Sequence, residues 1–233
     1  MWTTLQPDDW VAIKLSLKVA ATATLFSLPL GIAVAFALAR GRFYGRTLLD
    51  GLVHLPLVLP PVVIGYLLLV HFGRQGVFGS FLEAKLGLVF SFRWTGAALA
   101  CAVMGFPLLV QPIRLRMEAI DARLEQAAST LGASPLRVFF TITLPLSLPG
   151  IIAGAVMCFA KALGEFGATI TFVSNIPGET QTIPSAIHSY IQSTDGDAGA
   201  LRLSLVSLMI AFGALLISQL LVARFSRLKG GRP

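Results

Sequence analysis

Charge is scarce in this chain. Only 12% of the 233 residues are Asp, Glu, Lys or Arg, 55% are hydrophobic, and the mean hydropathy is +0.80. A soluble domain with this balance would expose apolar surface that it has too few charges to cover, so the composition points to a chain solvated by lipid. Cysteine is nearly missing. Cys101 and Cys158 both fall within apolar runs with no partner at metal-ligand spacing, and they read as small buried hydrophobes. None of the five lysines follows a glycine, which excludes the Gly-Lys-Ser/Thr ending of a nucleotide-binding loop. His54, His71 and His188 are scattered, and no Gly-x-Ser-x-Gly elbow or His-Glu-x-x-His helix occurs. The pattern therefore gives no catalytic residue, no metal site and no cofactor site. The net charge of +7 does not imply nucleic acid, because the basic residues border the apolar runs without aromatic or Gly-rich company. Anionic lipid headgroups account for them.

What is present is a series of five apolar runs, near Val11 to Ala39, Leu48 to Phe72, Thr95 to Ile113, Val138 to Thr171 and Leu203 to Ala223. Each is long enough for a hydrocarbon core of about 30 Å. The expectation is an all-α polytopic membrane protein with five transmembrane helices in a single domain over residues 1–233. Asp8 and Asp9 precede the first run, which is too long for a signal-peptide core, so it reads as a retained helix. Lys14 and Lys18 fall at i and i+4 on its first turns, where their stems can snorkel to the interface.

Basic residues set the expected orientation. Arg40, Arg42 and Arg46 follow the first run; Arg114, Arg116, Arg123 and Arg137 follow the third; Arg224, Arg227, Lys229 and Arg232 follow the fifth. These segments are expected on the cytoplasmic side. Residues 172–200 hold no Lys or Arg but do hold Glu179, Asp195 and Asp197, and are expected outside. Arg74, Lys85 and Arg93 in the second connection weaken the contrast without reversing it. The N-terminus then lies outside and the C-terminus inside. The ten residues after Ala223 predict no appended regulatory domain.

The connection between the third and fourth runs has its own logic. Leu124, Ala127, Ala128 and Leu131 recur at i, i+3, i+4 and i+7, a short helix with a narrow apolar stripe flanked by Arg123, Glu125 and Gln126. Gly132 is a helix stop, and Ser134 followed by Pro135 reads as an N-cap and first residue of the helix that enters the fourth run. The pattern fits a lever that transmits a push to a spanning helix, and it equally fits an ordinary interfacial amphipathic helix.

This segment resembles the coupling signature of permease subunits in ATP-binding-cassette importers: Glu-Ala-Ala, three residues, Gly, nine residues, Ile-x-Leu-Pro. Aligned on Gly132, the alanines fall on Ala127 and Ala128, and Ile142, Leu144 and Pro145 sit at the expected distance. Gln126 occupies the usual Glu position, whereas Glu125 lies one residue earlier and about 100° around the helix. The family's Glu contact therefore does not carry over directly. The stretches from His54 to Gly65, Leu163 to Thr169 and Asn175 to Thr180 resemble the molybdate importer permeases, and sulfate permeases share parts of both Pro-rich and Gly-rich segments. The resemblance implies a type I importer permease fold in the cell inner membrane. It implies a homodimer, two cytoplasmic ATPase subunits that carry ATP and Mg, and a periplasmic molybdate-binding protein that delivers molybdate or tungstate. Glu125, Gln126, Ala127, Ala128, Leu131, Gly132, Ala133 and Pro135 become the candidate coupling residues. Sulfate or another oxyanion is the alternative cargo, and an ATP-independent channel or membrane enzyme the alternative class.

Candidate path residues come from the remaining irregularities. Pro56, Pro60 and Pro61 remove backbone donors and bend the second span, which suits a cavity, an interface or simple packing. Lys161 and Glu165 are the charges well inside the fourth run and share a helix face, so they are expected to pair in a structural or gating role. A carboxylate beside the route of a divalent oxyanion would repel it. Thr169, Thr171 and Ser174 offer uncharged donors farther along. Beyond them Pro177 and Gly178 mark a turn, and Thr182 caps a predicted helix with Ile183, Ala186, Ile187, Tyr190 and Ile191 on one face, suited to a delivery protein or to lipid.

Overall fold

The computed structural model describes residues 5–229, together with the side chains up to Leu220 except Ser218. Arg232, and the side chains of Arg224, Arg227 and Lys229, lie outside that description. Among the described residues the chain is helical and has no strand.

The first helix, α1 (Pro7–Arg40), opens with Pro7 at its first position and the Gln6 N–H donating to Asp9 Oδ2 at 2.9 Å. It ends on Arg40, a cation suited to the negative end of the helix dipole. Its 34 residues span about 51 Å, well beyond a bilayer core. Next come α2 (Arg46–Val58) and α3 (Pro61–Phe72), bent by 112° to each other, and a short α4 (Val77–Leu86). The long α5 (Trp94–Glu118) leads to α6 (Ala122–Thr130). After Gly132 the chain re-enters the bundle as α7 (Pro135–Val138), a π-helical turn over Phe139–Thr143, and α8 (Leu144–Leu163), one continuous rod of 29 residues. A break precedes α9 (Gly167–Val173); α10 (Ile183–Ile191) and α11 (Asp197–Lys229) complete the fold.

The centre is a triangle of α1, α5 and α8. Gly150 and Gly154 lie on the α8 face toward α5, where an added Cβ would stand 2.6 Å from Pro112 O and 2.5 Å from Leu109 O. Spaced by four, they let the two backbones approach closely, as small residues do in lipid, where apolar burial alone does not drive helix pairing. Leu38, Leu109, Val110, Ile113 and Met117 fill the half of the core toward the end of α1, and Ala20, Ala97, Cys101, Met104 and Phe172 fill the middle. A third cluster of Ala12, Ile13, Ile183, Ala186 and Leu203 seats α10 and α11 on the start of α1.

Among the described residues four helices are long and apolar enough to cross a membrane, and the α2–α3 pair, taken as one broken span, makes five. The expected number of spans stands, but two are discontinuous. The second run is two helices, interrupted at Leu59 and Pro60, while Pro56 sits inside α2 without breaking it. The fourth run, expected as one span to Thr171, stops at Leu163 and restarts at Gly167. Gly164, Glu165 and Phe166 between them are non-helical because Gly164 weakens the last turn and Glu165 caps the next helix. Pro29 stays inside α1, which has no turn along its length. The last helix begins at Asp197, six residues ahead of the apolar run, because polarity rather than helix propensity had set the expected start. Helix α4 falls in a connection that the apolar pattern left unassigned.

Candidate functional site

At the end of the bundle where α1 finishes, α6 lies outside the core. Asp121 caps it, its Oδ1 accepting the Arg123 N–H at 2.9 Å. Leu131 closes it, and Gly132 turns the chain at φ +82°, a left-handed conformation that side chains disfavour. Ser134 Oγ then accepts the Arg137 N–H, with Pro135 at the first position of α7. No residue of α6 is fully buried. Leu124 is 50% exposed and Leu131 88%, with Gln126 and Ala127 exposed beside them and Ala128 and Ala133 half-buried beneath. An apolar stripe is thus displayed on a helix held at both ends by tight turns.

Glu125 faces the other way, into the bundle. Arg40 Nε lies 3.1 Å from Glu125 Oε2, Arg40 Nη2 donates to Glu125 Oε1 at 3.2 Å, and the Thr143 hydroxyl donates to the same oxygen at 2.8 Å. Arg40 also reaches the Ile120 carbonyl at 3.0 Å. Nearby, Arg114 joins Asp50 at 2.7 Å and Glu118 at 2.9 Å, tying α2 to the end of α5.

In the middle of the bundle the two helix breaks face each other. A Cβ on Gly167 would lie 2.8 Å from Pro61 Cβ, and one on Gly65 would lie 2.8 Å from Thr171 Cβ. Helix α3 therefore rests on α9 with almost no side chain between the backbones. Pro60, Pro61 and Gly164 are exposed around this contact. Lys161 Nζ lies 2.7 Å from Glu165 Oε2, and Glu165 Oε1 accepts the Ala168 N–H at 3.0 Å. The Glu165 side chain is 2% exposed and the Lys161 side chain 29%, so the carboxylate is enclosed while the lysine is partly exposed. Thr169 donates to Phe166 O at 2.9 Å and Thr171 to Gly167 O at 2.8 Å, so both hydroxyl protons are engaged by backbone. Ser174 ends α9 at φ 63°, ψ −167°, a region that favours glycine.

The opposite end carries a second polar cluster. Asp9 is buried, accepting from Tyr190 Oη at 2.9 Å and from Arg202 Nη2 at 3.1 Å, and so joins α1, α10 and α11. Burial first, and then the Asp9 hydrogen bond, raise the Tyr190 phenol above its ordinary pKa. The turn at Pro177 and Gly178 forms as expected, Gly178 at φ +79°, with Thr180 Oγ1 bridging Ile176 N–H and Ser174 O. Thr182 stands at the N-cap of α10 but does not cap with its side chain. Ser16 of α1 takes the Ile183 N–H instead, at 2.7 Å. A cavity of about 330 Å³ opens here between Asp8, Pro177, Gln181 and Tyr190. Lys14 and Lys18 are both exposed, and Lys18 Nζ sits 3.5 Å over the Trp94 ring.

The polar segment, the prolines and the Lys161–Glu165 pair were legible in the sequence. Arg40, Thr143, Ser16, Asp9, Tyr190 and Arg202 were not singled out for these contacts, because each meets its partner across a long separation. The one available signal was Asp9 itself, a carboxylate at the third position of a long apolar helix.

The architecture is a bundle of membrane-length helices with a displayed helix between the third and fourth spans. Residues 27–227 match the family of inner membrane components of binding-protein-dependent transport systems, and the chain belongs to that family. It is 60% identical over 228 residues to the molybdenum transport system permease protein ModB of Escherichia coli K12, covering 98% of this chain and 99% of that one. The ModB of Haemophilus influenzae is 58% identical over 94% of this chain and 96% of its own. The sulfate transport system permease protein CysT of Salmonella typhimurium is 35% identical over 95% and 79%. Among solved structures, a chain of the MetNI methionine transporter in inward-facing form superposes with a TM-score of 0.72 at 13% identity, over 95% of this chain and 99% of that one. A chain of a bacterial alginate transporter in complex with its ligand-bound periplasmic protein gives 0.72 at 20%, over 93% and 80%. At those identities the likeness concerns the fold alone, that of type I importer permeases.

Proposed function

We propose that this chain is the permease subunit of an importer that moves molybdate or tungstate across the inner membrane, powered by separate ATPase subunits. The observation that carries this reading is the 60% identity over nearly the whole of both chains to a molybdenum permease. Two copies form the conduit, two ATPase subunits bind at the α6 end, and a periplasmic binding protein delivers the oxyanion at the α10 end. The N-terminus is then outside and the C-terminus inside. The chain itself performs no catalysis; ATP and Mg belong to the ATPase subunits.

The geometry supports a division of labour. The exposed stripe of Leu124, Ala127 and Leu131 is the seat for the ATPase. The facing breaks at Pro60–Pro61 and Gly164–Phe166 lie on the conduit, where discontinuous helices in transporters form their sites. Glu165 is enclosed there while Lys161 is partly exposed, so the cation is the more accessible member of the pair to an anion. Thr171 is half-buried and Ser174 exposed on the same side, while Thr169 is buried behind them; the two threonine hydroxyls become donors to cargo only on release from their backbone partners.

The test is uptake and ATP hydrolysis in vesicles containing the whole complex, with the binding protein loaded in turn with molybdate, tungstate and sulfate. Stimulation by molybdate and tungstate is expected. A second reading, sulfate as cargo, rests on the 35% identity to a sulfate permease and predicts stimulation by sulfate instead. Uptake without any ATPase subunit would contradict both.

A further inference from the structure

Glu125 stands apart from the rest of α6. Only it and Ala128 are half-buried in that helix, and its carboxylate is turned away from the displayed stripe. Its partners are Arg40, the last residue of α1, and Thr143, the last residue of the π-helical turn, 85 and 18 residues away in sequence. One carboxylate thus joins three elements. A guanidinium with two contacts to a carboxylate, supplemented by a hydroxyl, fixes orientation as well as distance.

The π-helical turn makes the third contact. A turn closing on the fifth residue inserts one extra residue, and so rotates the helix on its N-terminal side by about 100° against the helix on its C-terminal side. Here the Leu144 N–H reaches back to Phe139 O, and the Thr143 carbonyl accepts the Ser147 hydroxyl at 2.6 Å. Thr143, 1% exposed, is aimed at α6. The Phe36 ring of α1 meets Phe139 edge-on at 4.9 Å, adding an apolar contact at the same joint.

We propose that Glu125 is a positioning residue: with Arg40 and Thr143 it clasps α6 to α1 and to the head of α8, so that displacement of α6 moves both spanning helices together. Gln126, next in sequence and about 100° around the helix, remains on the exposed side where the ATPase binds. This rests on the permease reading above. Without the clasp, α6 stays tied to the bundle by its two chain connections and by Ala128, and can rock without carrying the spans.

The test uses the assembled complex in vesicles and reads three quantities: ATPase copurification, basal hydrolysis, and molybdate taken up per ATP hydrolysed. Glu125→Ala is expected to keep the first two and to lower the third about tenfold, the size of change found for residues on a coupling route. Glu125→Gln keeps an acceptor for Thr143 but not the charge for Arg40, and is expected to lose less. Arg40→Glu and Glu125→Arg are each expected to uncouple, and the double variant to recover coupling. Unchanged uptake per ATP in Glu125→Ala would overturn the proposal. So would loss of ATPase copurification from a stable permease, which would make Glu125 a docking contact. If Glu125→Ala does not accumulate, the charge-reversal pair decides, and a double variant no better than either single one overturns the clasp. A wild-type complex without binding-protein-dependent uptake would instead overturn the permease reading.

Discussion

Glu165 caps the helix after a break while pairing with the helix before it: Oε2 lies 2.7 Å from Lys161 Nζ and Oε1 accepts the Ala168 N–H at 3.0 Å. A single carboxylate therefore satisfies an orphan backbone donor of α9 and neutralises a charge at the end of α8. That explains how non-helical backbone persists deep in an apolar run, where unsatisfied polar groups are costly.

Removing Glu165 should expose that dual role. Glu165→Ala leaves the partly exposed Lys161 and the Ala168 N–H without this partner, and is expected to destabilise the permease by about 1–3 kcal/mol, the cost of an unsatisfied buried donor. Glu165→Gln retains an acceptor for Ala168 and is expected to cost less than half of that. Thermal unfolding in detergent measures both; equal stability of all three proteins would remove the capping account.

Gly132 tests the turn behind α6. No atom lies within 4 Å of a Cβ built there, so a substitution meets backbone strain and no steric clash. Gly132→Val is expected to cost about 1–2 kcal/mol for the left-handed backbone, and Gly132→Asn, which tolerates that region, much less. A ranking with Asn worse than Val would contradict a conformational origin.

At the other end, Asp9 holds Arg202, whose side chain is 12% exposed. Asp9→Ala leaves that guanidinium buried without its carboxylate and is expected to cost about 3–5 kcal/mol. Tyr190→Phe removes one hydrogen bond to Asp9 and is expected to cost about 1 kcal/mol. Unfolding measurements on the two variants give the order directly, and the reverse order would show that the phenol, not the ion pair, anchors α10.

The parts that were legible in the sequence are those written locally. The N-cap at Ser134, the stop at Gly132 and the turn at Gly178 each depend on a few adjacent residues, and each forms as read. The span count followed from hydropathy. The break at Gly164 was hidden because the residues on both sides remain apolar enough to continue a helix, and only the capping geometry of Glu165 shows where it stops. The π-helical turn has no periodic signature in five residues. The Arg40–Glu125 and Asp9–Arg202 pairs, 85 and 193 residues apart, exist only once the bundle has assembled. Capping by Ser16 in place of Thr182 belongs to the same class, since the winning partner lies 167 residues away.

On the proposed reading, α6 receives the stroke of an ATPase. Cysteine placed at Ala127, on the exposed face, should crosslink to an ATPase subunit in the assembled complex, and Ala127→Arg should abolish copurification while leaving permease stability within about 0.5 kcal/mol of wild type. Copurification at wild-type level with Arg at 127, or a crosslink from 127 to the periplasmic binding protein, would contradict the account.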